Sequence, residues 1–99
     1  MDLDEVRRLC ESGAVEFTRH ISKRLLERGI MQRDVLLAIM NGCVIEDYAT
    51  DKPFPSCLIA GANGLHVVCS IGLGRLWLIT VYRPDGRKWE EDLRTRKRE

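Results

Sequence analysis

Ser56-Cys-Leu-Ile-Ala-Gly-Ala-Asn-Gly-Leu-His-Val-Val-Cys-Ser-Ile71 decides the fold of this 99-residue chain. Two apolar runs rich in strand formers flank Asn63-Gly64, a pair suited to the two positive-φ positions of a tight hairpin turn. A two-residue turn would pair Ala62 with Leu65, Ala60 with Val67 and Leu58 with Cys69. That register gives one apolar face to set against helices and leaves His66 and Ser70 on the other. Downstream, Gly72-Leu73-Gly74 predicts a second turn. A three-residue loop with Gly74 left-handed returns Arg75 to Arg83 with Ile79 and Val81 inward and Thr80 and Tyr82 beside His66, and a loop one residue shorter would invert this. Upstream, Cys43 to Tyr48 reads as a further strand. Ala49 to Pro55 reads as a loop, because Pro53 and Pro55 cannot donate to a ladder.

Before Cys43 the period is helical. Asp2 caps a short first helix with Glu5 at capping-box spacing; Leu3, Val6, Leu9 and Cys10 form its apolar side and Ser12-Gly13 ends it. Ala14 to Phe17 reads as a brief strand or extended entry. Thr18 caps a second helix whose Ile21, Leu25 and Leu26 form the buried stripe, with Gly29 as its stop. A third helix, Gln32 to Asn41, would bury Val35, Leu36, Ile39 and Met40 and close on a left-handed Gly42. After Pro84, Trp89 and Leu93 lie one turn apart with Glu90–Arg94 and Asp92–Arg96 pairs, which predicts a short helix or tail over 85–99, partly mobile, with Trp89 docked on the body. The expected architecture is a single α+β domain spanning 1–99. Two or three N-terminal helices pack on one face of a four-stranded antiparallel β-meander.

Composition narrows the function. Lys and Arg exceed Asp and Glu by one, for a formal net charge of +1, which argues against coating nucleic acid by bulk charge. Charge is local instead: Arg19 to Arg33 is basic, Glu46 to Asp51 acidic, Arg94 to Arg98 basic. Four cysteines, at 10, 43, 57 and 69, include no Cys-x-x-Cys, so neither a zinc site nor a redox motif is expected, and no cofactor. Reduced thiols, a polar acidic start and the lack of any membrane-length apolar run point to a cytoplasmic protein with no membrane partner.

The strongest chemical clue is the second helix. His20, Arg24 and Arg28 fall four residues apart in one row, with Lys23 on the same wet side, so an imidazole that changes charge near neutral pH lies among permanent cations. That combination suits phosphate chemistry. His66, Tyr82, Arg83 and Tyr48 are the other candidates. Each has a structural account beside the functional one. A histidine can simply bond a neighbouring strand, Glu27 can bridge Lys23 or Arg24, and Tyr82 and Trp89 can be packing residues.

Thr18-Arg-His20 with Arg24 and Arg28-Gly29-Ile30, Pro53-Phe-Pro-Ser-Cys-Leu58, Leu65-His-Val-Val68, and Thr80-Val-Tyr-Arg-Pro-Asp85 followed by Trp89-Glu90 form a specific set. Together they resemble the small prokaryotic proteins grouped as domain of unknown function 4258, over almost all of the chain after Val15. Met31 departs from a pattern that usually has a serine or threonine cap. The family has no settled activity, but some of its members look like toxins of toxin-antitoxin pairs, encoded beside a zinc-finger antitoxin and sharing the outline of RelE and MqsR type ribonucleases, and the resemblance implies the same for this chain. On that implication the reaction is metal-free cleavage of single-stranded RNA by its own 2′-hydroxyl, which needs a base, an acid and cations around the phosphorane. His20 or His66 would transfer protons, and Arg24, Arg28 and Arg83 would hold nonbridging oxygens. Tyr48 or Tyr82 would stack on a base or protonate the leaving oxygen, with Lys23 on the RNA. The alternative is a noncatalytic interaction module, such as a homodimer paired through the Cys43 strand or the last strand.

Overall fold

Thr18 and Gly29 frame the second helix as their chemistry requires. Thr18 is extended and its hydroxyl accepts the Ile21 amide at 3.2 Å, while Gly29 takes the left-handed conformation, φ 65°. The computed structural model describes residues 1–98. Three helices, α1 (Leu3–Glu11), α2 (Arg19–Arg28) and α3 (Gln32–Met40), accompany five strands: β1 (Val15–Glu16), β2 (Cys43–Tyr48), β3 (Ser56–Ala60), β4 (His66–Gly72) and β5 (Arg75–Tyr82). The sheet order is β1-β5-β4-β3-β2. β2 to β5 make the expected antiparallel meander, but the sheet is five-stranded and mixed, because β1 adds in parallel beside β5 through Val15 and Glu16. The Leu76 amide donates to the Ala14 carbonyl at 2.8 Å to start that pairing.

The helices cover one face. Val6, Ile21, Leu25, Val35, Ala38 and Ile39 pack on Cys57, Ile59, Val67, Cys69, Leu76 and Val81. Leu26, expected in the buried stripe, is 83% exposed on the outward side of α2. α3 begins at Met31 without a side-chain cap and ends at Asn41, so Gly42 is not a left-handed stop. Its role is close approach: a Cβ there would stand 2.4 Å from the Ala38 carbonyl and 2.6 Å from that of Ala60. Arg7 of α1 donates to the carbonyls of Ile39 and Gly42 at 3.2 and 2.8 Å, serving the end of α3 from outside.

The first hairpin corrects the expected register. Gly61 N–H donates to Leu65 O, Gly64 N–H to Gly61 O, and Gly64 alone has positive φ, 88°. The loop is therefore Ala62-Asn63-Gly64, one residue longer than the two-residue turn, and Ala60 faces His66 while Leu58 faces Val68. Because strand side chains alternate, that slip turns β3 over. Cys57 and Ile59 meet the helices, and Leu58 and Ala60 share the other face with His66 and Ser70. The physical reason lies in α3. Asn63 Nδ2 donates to Asp34 O at 2.9 Å, and a Cβ on Gly61 would sit 2.5 Å from that of Ala38.

The second hairpin is one residue shorter than expected. Leu73 and Gly74, with φ of 56° and 72°, form a two-residue turn with both central positions left-handed, and Gly72 pairs with Arg75. The consequent inversion holds for Leu76 and Leu78, which point inward. A β-bulge then inserts Ile79 between the Cys69–Leu78 and Val68–Thr80 pairs and restores the parity. Val81 is inward and Thr80 and Tyr82 lie on the His66 side, as expected; Ile79 is not inward but 45% exposed.

Over its described residues, 85–98, the C-terminal segment is no helix, and position 99 of the expected helix or tail lies outside the described residues. Asp92 Oδ1 accepts the Arg94 and Thr95 amides at 2.8 and 3.0 Å, and Leu93 has φ 58°, a local turn that competes with helical bonding. Glu90 N–H donates to Thr95 O and Lys97 N–H to Lys88 O, folding 88–97 back on itself around a Trp89–Arg96 bridge. Trp89 docks on the body as expected, 3% exposed.

Candidate functional site

The helix-free face of the sheet gathers residues from four elements. A second β-bulge, at Ile45, sets Glu46 opposite Leu58 and Tyr48 opposite Ser56, turning both polar side chains onto this face. His66 stands across from Tyr82 in the ladder and is 1% exposed. Its Nε2 lies 2.5 Å from the Leu93 carbonyl and its Nδ1 3.3 Å from the Tyr82 hydroxyl. A carbonyl only accepts, so Nε2 carries the proton and donates to Leu93, and Nδ1 accepts from Tyr82. Trp89 closes the cluster edge-on, 4.6 Å between ring centroids.

A charge pair locks this arrangement from outside. Arg96 forks onto Glu46 at 2.6 and 3.1 Å, its guanidinium 4.5 Å over the Trp89 ring, and Tyr48 donates its hydroxyl to the same carboxylate. Arg96 holds the Glu46 carboxyl below the usual range. Burial and Glu46 push Tyr48 up to about 12, and burial raises Tyr82. Burial also lowers His66 below the ordinary histidine value, opposed by its bond to Leu93 and by Glu46, with Arg96 adding to the lowering. At neutral pH the centre of the cluster is a neutral imidazole bonded to the neutral Tyr82 phenol, and Tyr48, also neutral, is bonded to Glu46.

The α2 candidates lie on the opposite side of the sheet. His20 and Lys23 are exposed, and among the described residues the His20 ring makes no hydrogen bond. Arg24 meets Glu27 at 3.3 Å, both side chains nearly half exposed, as the structural account allowed. Arg28 reaches past the helix: it donates to the Val81 carbonyl at 2.5 Å, with the Thr80 hydroxyl at 3.5 Å. Arg83 answers by donating to the Arg28 and Gly29 carbonyls at 2.8 and 3.3 Å, completing the C-terminus of α2. β1 pairs only with Leu76 and Trp77, so this clasp holds the part of β5 that β1 does not reach. The structure thus brings His66, Tyr82 and Tyr48 together on one face, sets His20, Lys23 and Arg24 on the other, and uses Arg28 and Arg83 to join them at the edge of β5.

A third feature escaped sequence reasoning. On the helix-free face, away from His66, a cavity of about 490 Å³ is walled by Phe54 and Trp77, floored by Ile79, and also lined by Pro53, Leu78, Asp51, Lys52 and Ser70. Phe54 lies flat on β4 because Gly72 has no side chain; a Cβ there would sit 2.4 Å from the ring. The Trp77 indole is fixed by its N–H to the Gly72 carbonyl at 2.9 Å. A smaller hollow, about 140 Å³, opens beside His66 between Gly61 to Gly64 and Asp92 to Arg94. Among the described residues no His, Cys, Asp and Glu group of three or more is placed to hold a metal ion, and no helix is long and apolar enough to cross a membrane. All four cysteines are free thiols, Cys57 and Cys69 buried.

The architecture defines a small α+β protein with one sheet face packed and the other given to polar clusters. The family model described as Domain of unknown function (DUF4258) matches residues 17–83, and the chain belongs to that family. The match begins just before α2 and ends at Arg83, so Trp89 and Arg96 lie beyond it. No curated protein and no solved structure matches the chain.

Proposed function

We propose that the chain acts on single-stranded RNA as a toxin-type endoribonuclease in the cytoplasm, with the outward row of α2 as its contact surface. The observation that carries this reading is the state of His20. It is an exposed imidazole with no partner among the described residues, on a helix face shared with Lys23 and Arg24 and ending at Arg28 on the β5 edge. In this reading a ribose 2′-oxygen attacks its own phosphorus as His20 takes the hydroxyl proton. The bond from phosphorus to the 5′-oxygen breaks, and that oxygen takes a proton from water. Lys23, Arg24 and the free N–H groups of Arg28 and Arg83 neutralise the nonbridging oxygens. His66, Tyr82 and Tyr48 lie under or beside the segment 85–98 and act in this scheme by shaping the fold. A zinc-finger antitoxin covering the cationic row is the fitting partner, and no metal enters the scheme.

The test is induction of the chain in bacteria while growth and messenger RNA integrity are followed, beside His20→Ala and Arg24→Ala. Growth arrest with RNA breakage that both variants relieve supports the reading; normal growth and intact RNA in every strain reject it. The bonding of Arg28, Arg83, His66 and Tyr82 into the fold favours a second reading, a noncatalytic interaction module. Its partner would add to the outer edge of β2, which the strand order leaves unpaired. A chain that stays monomeric at high concentration rules out the edge-paired homodimer form of it.

A further inference from the structure

We infer that the cavity between Phe54 and Trp77 is a nucleobase pocket that selects guanine. The ligand class rests on the RNA reading above; the pocket itself does not. Its volume, about 490 Å³, suits a small organic ligand, and its make-up is what such sites share: apolar and aromatic walls with a few fixed polar groups. The two rings are held rather than free. Phe54 is seated by Gly72 and Trp77 is tethered through its indole N–H, so neither must be ordered when a flat base slides against it.

The polar rim decides the base. Asp51 is pinned by its Oδ2, which accepts the Ser56 hydroxyl at 2.5 Å, and its backbone N–H donates to the Tyr48 carbonyl at 3.1 Å. A fixed carboxylate offers two acceptors side by side. Among the four RNA bases only guanine presents two parallel donors on its Watson–Crick edge, the ring N1–H and the exocyclic amino group, so only guanine satisfies both oxygens. Lys52 adds a cation at the rim for the adjoining phosphate. An apolar side chain from a protein partner would fill the walls but leave Asp51 and Ser70 facing carbon, a cost the guanine edge avoids. Continuity with the α2 row supports the assignment. Ile79 of the cavity floor directly precedes Thr80 and Val81, where Arg28 docks, so a strand passing the β5 edge runs from the cations to the pocket.

The test is titration of the intact protein with guanosine, inosine, adenosine, cytidine and uridine 5′-monophosphates, read by the indole N–H resonances of Trp77 and Trp89. Saturable movement of Trp77 and not Trp89 by the guanine nucleotide is expected. Binding of the inosine nucleotide, which lacks the 2-amino group, should be about tenfold weaker, and Asp51→Asn should lose a similar factor with an otherwise unchanged spectrum. Equal response to all five nucleotides, movement centred on Trp89, or no saturable movement at millimolar concentration would each overturn the assignment. Guanine binding in a protein that leaves RNA intact keeps the pocket and removes the ribonuclease reading. RNA cleavage indifferent to guanine, with Trp77 silent, does the reverse.

Discussion

His20 stands in water on the outward side of α2, whereas His66 lies 1% exposed in β4 beneath Trp89. Both neighbour arginines, yet the two regions are held by different physics. The α2 row is local: its members are one helical turn apart and their geometry follows from the backbone alone. The helix-free cluster is built from β2, β4, β5 and the C-terminal segment, and its closing ion pair joins residues 50 positions apart. A side chain available for chemistry belongs to the first kind of region, and one that determines whether a face is open or covered belongs to the second. Four changes separate the two, beginning with the residue on which the buried region most depends.

Trp89→Ala removes the ring that covers His66 and supports Arg96. A buried tryptophan truncated to alanine costs about 3–5 kcal/mol, and denaturant unfolding should show a loss of that order. A loss under about 1 kcal/mol, the range of an ordinary surface change, would mean that 85–98 is an appendage and that the cluster does not depend on it.

His66→Gln tests the centre of the cluster and should cost about 1–3 kcal/mol at neutral pH, since the bonds to Leu93 and Tyr82 are remade imperfectly. Its sharper signature is in pH. The folded state holds the His66 pKa below the ordinary 6.5, so the unfolded chain binds the proton first. Stability is full above 6.5, falls as pH drops through that value, and levels off below the folded pKa. Unfolding midpoints across this interval should slope in the wild type and flatten in His66→Gln. An unchanged slope would move the titration to another group.

The same contrast explains how much could be read in advance. The caps at Thr18 and Gly29, the helical row and the four-strand meander are written in short-range patterns, and the structure has them. Both hairpins missed by one residue for a tertiary reason at Gly61, where α3 presses on the turn, and for a turn preference at Leu73, where a leucine takes a conformation usually left to Asn or Gly. The two errors differ in reach, because the bulge at Ile79 corrects one locally while nothing corrects β3, whose whole face is exchanged. Of the candidate site, His66 and Tyr82 do share one face as expected, but Tyr82 reaches it only because the bulge at Ile79 cancels the one-residue error in the preceding turn. Glu46 shares the parity of Tyr48 and could have been added. Arg96 had no local signal, and neither did Phe54, whose position depends on the absence of a side chain at Gly72.

Glu46→Gln probes the outer lock of the buried region and should have a smaller effect. Glu46 is 24% and Arg96 55% exposed at the side chain, so solvent screens the pair and the loss should be at most about 1 kcal/mol. The Glu46 carboxyl is held below its ordinary 4.5, so its contribution is present above that value and disappears as pH falls through the folded pKa. The variant should narrow the gap between low and high salt. Faster exchange of the Trp89 indole proton should accompany it, whereas exchange unchanged from wild type would show Arg96 held by Trp89 alone.

His20→Ala is the smallest expected change in stability and completes the contrast. An exposed ring unbonded among the described residues contributes nothing that folding must replace, so the unfolding free energy should stay within about 0.5 kcal/mol of wild type. That near-zero value is what makes any loss of RNA breakage in the variant interpretable, because a folded protein with the same surface otherwise would have lost one imidazole and little else. A loss comparable to that of His66→Gln would instead make His20 a structural residue and would transfer the search for chemistry to the face under the C-terminal segment.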